Sequence, residues 1–373
     1  MRNVVIIQKT VKLYRKRFFE LLKEKCKQND INLILIYGKD DVMIFNDVDI
    51  QWGIKIKNYS INIFGKKLYY QNVWRYLQNA DLIIVEQATK YLINHILWIL
   101  NLLKFKKVAF WGHGINFQND RTKFSNISEF FKRLYTKNIH HFFAYTELSK
   151  RIAMNMGLPE KKITVLNNTI PVENLKKEIM KYDALKLQAI KKEIGVSTEN
   201  VCIYLGGMYK DKRLDFLLHA LKIIKEKVKD FEMIFIGDGP EREKIIEFAN
   251  HNNWVHYLGK KGEKEKVPYF LISKLLLMPG LVGLVIIDSF LFATPLITTN
   301  CKLHSPEIEY LENGVNGIMM ANNLESYSKA IINLLLNREK RKKLVVGCRT
   351  SAGKYTMEIM VDNFSKGIHS AIF

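Results

Sequence analysis

Short, continuously apolar runs alternate with amphipathic segments along the first half of the chain. Between the first two runs, Val11, Tyr14, Phe18 and Leu22 recur at helical spacing. The runs are NVVIIQ (3–8), INLILIYG (31–38), ADLIIVEQ (80–87), KVAFWGHG (107–114), HHFFAYT (140–146) and KITVLNN (162–168). Apolar runs separated by helical segments are typical of a parallel sheet covered on both faces. The first half is therefore predicted to be a doubly wound α/β domain.

A second series of the same kind begins after a charged, helix-prone stretch without a strand pattern, residues 170–198. Its runs are NVCIYLGG (200–207), FEMIFIGDG (231–239), NWVHYLG (253–259), KLLLMPG (274–280) and TPLITT (294–299). We predict two Rossmann-like domains facing each other across a cleft. Ligands of such sheets bind beyond the carboxyl ends of the strands, so functional residues are expected directly after each run.

The domain boundaries follow from this pattern and from the length of 373 residues, which suits two domains. We predict an N-terminal Rossmann-like domain at 1–172, a hinge at 173–198 and a C-terminal Rossmann-like domain at 199–355. Residues 356–373 are predicted to form a C-terminal helix, for which a return to the N-terminal domain is one arrangement.

Composition narrows the class of protein. The chain is 48% hydrophobic and 25% charged, as in a folded globular protein. Its longest apolar run, 91–103, is too short to cross a bilayer, and the N-terminus lacks the apolar region of a secretory signal. The four cysteines show no CxxC spacing, which favours reduced thiols over a zinc site. We expect a cytoplasmic location, with the inner face of the cell membrane as a site of peripheral association.

Charge is the compositional outlier. The 58 Lys and Arg against 37 Asp and Glu leave a net charge of +21, which favours phosphorylated substrates, an anionic membrane surface or nucleic acid as partners. No nucleic-acid-binding signature occurs and the basic residues are dispersed, so we expect no nucleic-acid partner. In segment 124–138, Ile127, Phe130, Phe131 and Leu134 share a helical face near basic residues, which suits either packing on the sheet or an anionic membrane.

The residues after the second-half runs suit a phosphorylated ligand. Gly206 and Gly207 leave the main chain bare, and Lys210, Lys212 and Arg213 place cations where a strand passes into a helix. Gly237 and Asp238 follow the next strand in the same way.

The stretch LLLMPGLVGLVIIDSFLFATPLITT (275–299) carries a stronger pattern. Gly283 permits close approach to the main chain, and the amides of Leu284 and Val285 would face outward at a helix N-terminus. Asp288 follows on a mostly apolar helix, where a buried acid needs a partner. An anion on the amides and a hydroxyl pair on the carboxylate would describe a nucleotide's phosphate and ribose.

In the first half, His113 lies between two glycines at a strand end. Thr10, Tyr14, Arg15 and Glu86 follow other strands and would border the same cleft.

Together these motifs resemble a family 4 glycosyltransferase of GT-B fold. The resemblance is carried in order by HG at 113–114, GLPEKKITVLNNTI (157–170), the glycine and lysine turn at 206–212, GDGPE (237–241) and the segment 279–299. It implies a retaining, metal-independent transferase of the bacterial glycan-biosynthesis type, with no cofactor. The donor would be a sugar nucleotide bound by the C-terminal domain, with UDP or GDP favoured. The acceptor would be a glycan or lipid-linked glycan bound by the N-terminal domain at Thr10, Tyr14, Arg15 and Glu86.

The resemblance also implies residue roles. The second glutamate of the family's E-x7-E pair falls on Asp288, which implies a contact to the donor ribose, and the first falls on Gly280. The family's phosphate-binding arginine falls on Gly207, whereas its lysine is kept as Lys212. The histidine near the transferred sugar falls on His113, and Glu307 is a further donor-side carboxylate.

The predicted catalytic residues are therefore His113, Lys212 and Asp288, with no metal ligand. Cations and helix amides would stabilise the charge growing on the leaving diphosphate, which in turn would help to deprotonate the acceptor.

Three alternatives remain open at this point. A catalytically idle GT-B protein that partners an active transferase is favoured by Gly280 and Gly207. The Asp-x-Asp pair at 47–49 is the motif by which metal-dependent sugar transferases of another fold hold their donor, although here it lies in a polar connection. Nucleic-acid binding has only the charge in its favour.

Overall fold

The computed structural model describes residues 1–39, 47–63, 65–114 and 123–373, with side chains except at residues 66 and 123–129. The chain divides into two compact units, one formed by 1–171 with 357–373 and the other by 172–356. Each unit has its own sheet.

In the described residues, the first unit contains an eight-stranded sheet of order β4-β3-β2-β1-β5-β6-β7-β8. The strands are β1 (Arg2–Gln8), β2 (Ile31–Lys39), β3 (Ile54–Ile63), β4 (Lys66–Gln71), β5 (Leu82–Glu86), β6 (Val108–Gly112), β7 (His141–Ala144) and β8 (Ile163–Val165). All neighbours are parallel except β3 and β4. The six predicted apolar runs of this half are all strands, because their residues lie between two covered faces of the sheet.

The hairpin of β3 and β4 was not predicted. Its first strand, IKIKNYSINI, alternates in burial at its start and is exposed over its second half. As an antiparallel pair at the sheet edge, it has no need of a continuously apolar run. The sequence pattern that marks buried parallel strands therefore does not mark this pair.

Helices cover both faces of the first sheet. They are α1 (Leu13–Gln28), α2 (Trp74–Leu77), α3 (Leu92–Leu102), α4 (Lys123–Lys137) and α5 (Glu147–Asn155), joined by the last helix of the chain, α14 (Met357–Ile372). Helix α14 packs against α1 and β8. Phe18 of α1, Phe364 of α14 and Trp111 of β6 are in ring contact in the core between them. The C-terminal segment is thus part of the first unit.

The second unit contains, in its described residues, a parallel sheet of order β11-β10-β9-β12-β13-β14. Its strands are β9 (Asn200–Leu205), β10 (Phe231–Ile236), β11 (Val255–Tyr257), β12 (Leu275–Leu277), β13 (Leu296–Thr299) and β14 (Gly317–Met320). The short β14 was not predicted. The strand order reverses between β9 and β12, and ligands of doubly wound sheets bind at such a switch point.

The helices of the second unit complete its two outer layers. They are α6 (Glu173–Ile179), α7 (Ala184–Glu193), α8 (Leu214–Lys227), α9 (Arg242–Asn250), α10 (Val267–Leu271), α11 (Val285–Leu291), α12 (Leu324–Leu336) and α13 (Arg338–Ala352). The charged stretch after residue 172 forms α6 and α7, which pack on α10. Among the helices described, none has the length and hydropathy that crossing a bilayer would require.

Candidate functional site

The candidate site lies where β9 and β12 end side by side. The turn after β9 (206–213) and the turn after β12 (278–284) are joined by main-chain and side-chain hydrogen bonds. The amide of Leu281 donates to the carbonyl oxygen of Asp211 at 2.8 Å. The Lys212 ammonium donates to the carbonyl oxygen of Leu281 at 2.6 Å. The two turns therefore form one surface at the switch point.

Lys212 is the buried cation of this surface. Burial lowers the pKa of its ammonium to about 8. A methyl group on Gly206 would lie 3.8 Å from the Lys212 nitrogen, so the ammonium lies beside a bare stretch of main chain. A buried amine without a carboxylate in its hydrogen-bond set gains most from an anionic ligand.

Gly280 is the residue on which the resemblance places the family's first glutamate. A Cβ atom there would lie 2.3 Å from the carbonyl oxygen of Asp211 and 2.5 Å from the carbonyl carbon of Lys212. These atoms are main chain and cannot rotate away. This close approach leaves no room for any side chain at residue 280, so the family's glutamate could not be placed here without moving the turn.

Gly237 also allows two stretches of main chain to approach each other closely. It has φ of +152°, and a Cβ atom would lie 1.9 Å from the carbonyl oxygen of Gly206. At Gly207, a Cβ atom would meet the ring of Tyr209 at 2.6 Å. Asp238 is exposed, accepts from the amide of Gly239 at 2.8 Å and pairs with Arg242 at 3.5 Å. These residues shape the turns, and their contacts with a donor stay predictions.

Arg213 takes the left-handed conformation, with φ of 57°. Its guanidinium donates to the Thr299 hydroxyl at 3.1 Å and to the side-chain oxygen of Asn322, and it stacks on Phe216. These contacts hold the guanidinium on the β13 side of the turn. Lys210 is exposed on the short 3-10 helix that precedes it.

Asp288 has the partner that its burial demands. Lys266, the residue before α10, donates to Asp288 Oδ1 at 2.5 Å, and both side chains are buried. Lys266 was not identified from the sequence, since nothing local links it to α11. One carboxylate oxygen is thus held by an internal ion pair. The predicted ribose contact would have to use the other oxygen.

The segment after β13 supports the turn from a third direction. His304 is buried; its Nδ1 accepts from the amide of Val282 at 3.2 Å, and its Nε2 donates to the carbonyl oxygen of Thr299 at 2.7 Å. The amide of Ser305 donates to the carbonyl oxygen of Val282 at 2.9 Å. Glu307 is buried in the 3-10 helix that follows (Pro306–Tyr310). His304 is a further residue that sequence reasoning missed.

In the first unit, Arg15 and Glu86 lie at the carboxyl ends of β1 and β5, which is the switch point of that sheet. Arg15 is buried, donates to Asn168 Oδ1 at 2.5 Å, and lies over the rings of Trp111 and Tyr145. Burial raises the pKa of Glu86, whose carboxylate accepts from the Tyr91 hydroxyl at 2.8 Å.

The other first-unit predictions lie nearby in the same unit. His113 is exposed after β6 and meets the ring of Tyr145 edge-on, at 4.3 Å between centroids. Tyr14 is exposed at the start of α1, next to Arg15. Thr10 lines a cavity of about 110 Å³ together with Tyr37, Lys39, Asp47 and Asp49. Tyr145 contacts both His113 and Arg15 and so links two of the predicted residues.

The Asp-x-Asp pair at 47–49 is engaged in ion pairs. Asp47 pairs with Lys12 at 2.6 Å, and Asp49 pairs with Lys55 at 2.7 Å. Within the described ranges, no group of three or more His, Cys, Asp or Glu side chains is arranged to hold a metal ion.

Comparison with known proteins gives this geometry a context. Residues 187–347 match the family described as glycosyl transferases group 1. HepE of Anabaena, crystallised with UDP, superposes with a TM-score of 0.72 at 13% identity, covering 99% of this chain and 100% of that one. The chain has the GT-B fold, and residues 187–347 match the group 1 glycosyltransferases.

Curated relatives point the same way. An uncharacterized glycosyltransferase of Haemophilus influenzae is 23% identical over 357 residues, 91% of this chain and 90% of that protein. The alpha-monoglucosyldiacylglycerol synthase of Acholeplasma laidlawii is 24% identical over 234 residues, 60% of this chain and 56% of the synthase. The GT-B fold predicted from the sequence is thus confirmed. Lys212, Asp288 and Glu307 lie inside the region matched by the glycosyltransferase family, whereas His113 and the acceptor-side residues lie outside it.

Proposed function

We propose that this protein is a retaining glycosyltransferase that moves a sugar from a nucleoside-diphosphate sugar to a glycan or lipid-linked glycan, in the synthesis of a cell-surface polysaccharide or glycoconjugate. The observation that carries the proposal is the buried Lys212 ammonium beside Gly206, at the strand-order reversal of a unit matched by the glycosyltransferase family. An ammonium already desolvated interacts more strongly with a diphosphate than one in water.

In the proposed reaction, Lys212 and the amides of Leu284 and Val285 stabilise the negative charge that grows on the departing diphosphate. The sugar carbon loses its bond to the phosphate oxygen and gains one to the acceptor oxygen on the same face. The departing phosphate takes the acceptor's proton. This scheme needs neither a metal nor a cofactor, because fixed cations and main-chain dipoles supply the electrostatic stabilisation.

We propose UDP as the donor nucleotide, ahead of GDP. The support is that HepE, with the same fold, was crystallised with UDP and with UDP-glucose. Asp288 Oδ2 would receive the ribose hydroxyls while Oδ1 stays with Lys266, and Glu307 would lie on the donor side. On the acceptor side we propose Thr10, Tyr14, Arg15 and Glu86, with His113 near the transferred sugar.

The test is a calorimetric titration of the full chain with UDP, GDP, ADP, CMP and their common sugar derivatives. Selective binding of UDP, lost in Lys212→Ala and kept in Lys227→Ala, is the expected result. Lys227 is an exposed lysine at the end of α8 and serves as the matched control. For a sugar that is transferred, the anomeric configuration of the first product, read by proton NMR, tests retention. An inverted product would contradict the mechanism.

A catalytically idle GT-B protein is the second candidate, favoured by two observations. Gly280 has no room for the family's acid, and Asp288 is already paired with Lys266. This candidate predicts that no nucleotide binds to the folded chain and that a pull-down recovers an active transferase. Turnover by the chain alone would exclude it.

A further inference from the structure

The outer surface of helices α3 and α4 is an exposed apolar area without an internal partner. Along α3 and the turn that follows, Ile96, Ile99 and Leu103 share one helical face, and each is 40% to 57% exposed. Phe105, in the same turn, is 71% exposed. Exposed apolar residues scattered singly are ordinary, but four within ten positions of α3 and the turn that follows it are not.

Helix α4 extends this area. Its Tyr135 packs against Trp98 of α3, with ring centroids 4.5 Å apart, so the two helices are in contact at this point. From Tyr135, a series of ring contacts runs outward through Phe131 to Phe130. Phe130 is exposed at 63%, and Phe131 is also exposed. We call the six residues Ile96, Ile99, Leu103, Phe105, Phe130 and Phe131 the α3–α4 surface.

The charges around the α3–α4 surface are mostly positive. Residues 92–107 contain Lys104, Lys106 and Lys107 and no acid, and helix α4 contains four basic residues against the single acid Glu129. Asp81 lies near Lys106. The α3–α4 surface is thus apolar and has more basic than acidic residues around it.

We infer that the α3–α4 surface docks the protein onto an anionic lipid leaflet. Apolar side chains would enter the boundary between head groups and acyl chains, and the lysines would meet the negative lipid head groups. A protein partner or a second copy of this chain would have to offer an acidic face, and the net charge of +21 makes a second copy a poor match. The segment 124–138 considered from the sequence contributes Phe130 and Phe131, while the side chain of Ile127 lies outside those described.

The inference is tested by co-sedimentation of the full chain with vesicles. Vesicles of phosphatidylcholine mixed with phosphatidylglycerol are compared with vesicles of phosphatidylcholine alone. The wild-type chain should pellet with the anionic vesicles only, and added salt should weaken the binding because it screens the lysines. Failure to bind the anionic vesicles, or equal binding to both kinds, would overturn the inference.

Two double variants separate the apolar from the electrostatic contribution. Ile99→Glu/Phe105→Glu and Lys104→Glu/Lys137→Glu should each lower vesicle binding about tenfold or more. Leu185→Glu/Leu336→Glu adds the same two negative charges at exposed apolar positions elsewhere. Its vesicle binding should stay within about twofold of that expected from the change in net charge alone. Circular dichroism checks that each variant is folded. Wild-type binding by the two α3–α4 variants would contradict the assignment of this surface.

Sedimentation velocity without lipid tests whether a second copy of the chain occupies the α3–α4 surface instead. A dimer that dissociates in Ile99→Glu/Phe105→Glu would replace the lipid by a second copy of the chain. The vesicle assay uses no nucleotide and no acceptor, so its result is independent of the proposed transferase activity. Vesicle binding without UDP binding would support the lipid-binding surface and count against the transferase. UDP binding without vesicle binding would support the transferase and overturn the lipid-binding surface.

Discussion

The carboxyl edges of the two sheets differ in whether main chain or side chains form the contacts. In the second unit, main chain packs on main chain: Gly280 touches residues 211–212, and Gly237 touches Gly206. In the first unit, side chains fill the equivalent edge. Gln71 donates to the carbonyl oxygen of Gln8 at 3.0 Å, and Arg15 donates to Asn168.

This difference separates two kinds of recognition. A surface of close-packed main chain offers fixed dipoles and, in Lys212, a buried ammonium that donates to a main-chain carbonyl rather than to a carboxylate, which suit a diphosphate. An edge built of arginine, glutamate and tyrosine side chains can be changed one residue at a time without altering the sheet. We expect the second-unit edge to be intolerant of substitution and the first-unit edge to be adaptable.

The largest effect is expected at the buried ion pair of the second-unit edge. Asp288→Asn should lower the free energy of unfolding by about 3–5 kcal/mol, because it leaves the Lys266 ammonium buried without its counter-charge. Lys266→Met/Asp288→Asn should recover part of that loss. Urea unfolding measures both. Lys342→Met, which breaks an exposed pair with Glu339, should change stability by less than about 1 kcal/mol. An equally small effect of Asp288→Asn would contradict the expectation that the second-unit edge is intolerant of substitution.

A smaller loss is expected when a single methyl group is added to the main-chain contact. Gly280→Ala should destabilise the protein by about 1–3 kcal/mol, since the new Cβ would overlap the main chain of residues 211–212. Gly353→Ala is the matched control, because the nearest atom to its Cβ position is 3.7 Å away. Thermal unfolding distinguishes the two. Wild-type stability of Gly280→Ala would mean that the two turns are not locked together.

The pH dependence of nucleotide binding should identify Lys212. A bound diphosphate favours the ammonium over the amine, so binding takes up a proton near the lowered pKa of about 8. Affinity for UDP should therefore weaken as pH rises above that value, by at most about tenfold per pH unit. Titrations in two buffers of different ionisation enthalpy measure the proton uptake. Lys212→Met should lose it and Lys227→Met should keep it, and uptake persisting in Lys212→Met would assign it to another group.

The smallest effect is expected at the first-unit edge. Burial raises the pKa of Glu86 above its unfolded value of 4.5, so the folded chain holds a proton there that the unfolded chain releases. That stabilisation is present at low pH and is lost as pH rises through the folded pKa. Glu86→Gln, which stays neutral, should raise Tm at neutral pH by about 2 °C and flatten its pH dependence. The exposed Glu24→Gln is the control; a lower Tm for Glu86→Gln would show that the edge needs the charge.

Much of the fold could be predicted from neighbouring residues. Continuous apolar runs identified the long parallel strands of both sheets, because burial on two faces leaves a pattern within five or six residues. The β3–β4 hairpin escaped because an exposed edge pair needs no such run. The short β14 escaped because its four residues, GIMM, are too few to form a pattern. The glycines of the second-unit turns could be found as well, since bare main chain after a strand is a local feature.

The sequence by itself determined two α/β halves, the glycine-rich turns after β9 and β12, and the presence of one acid on an apolar helix. Only the tertiary structure decided that Lys266 neutralises that acid across 22 residues and that Gly280 meets the main chain after β9. It also decided that α3 and α4 are in contact through Trp98 and Tyr135. Periodicity and turn chemistry act between neighbours and can be recognised locally. Contacts between distant residues depend on strand order and helix packing, which no local pattern specifies.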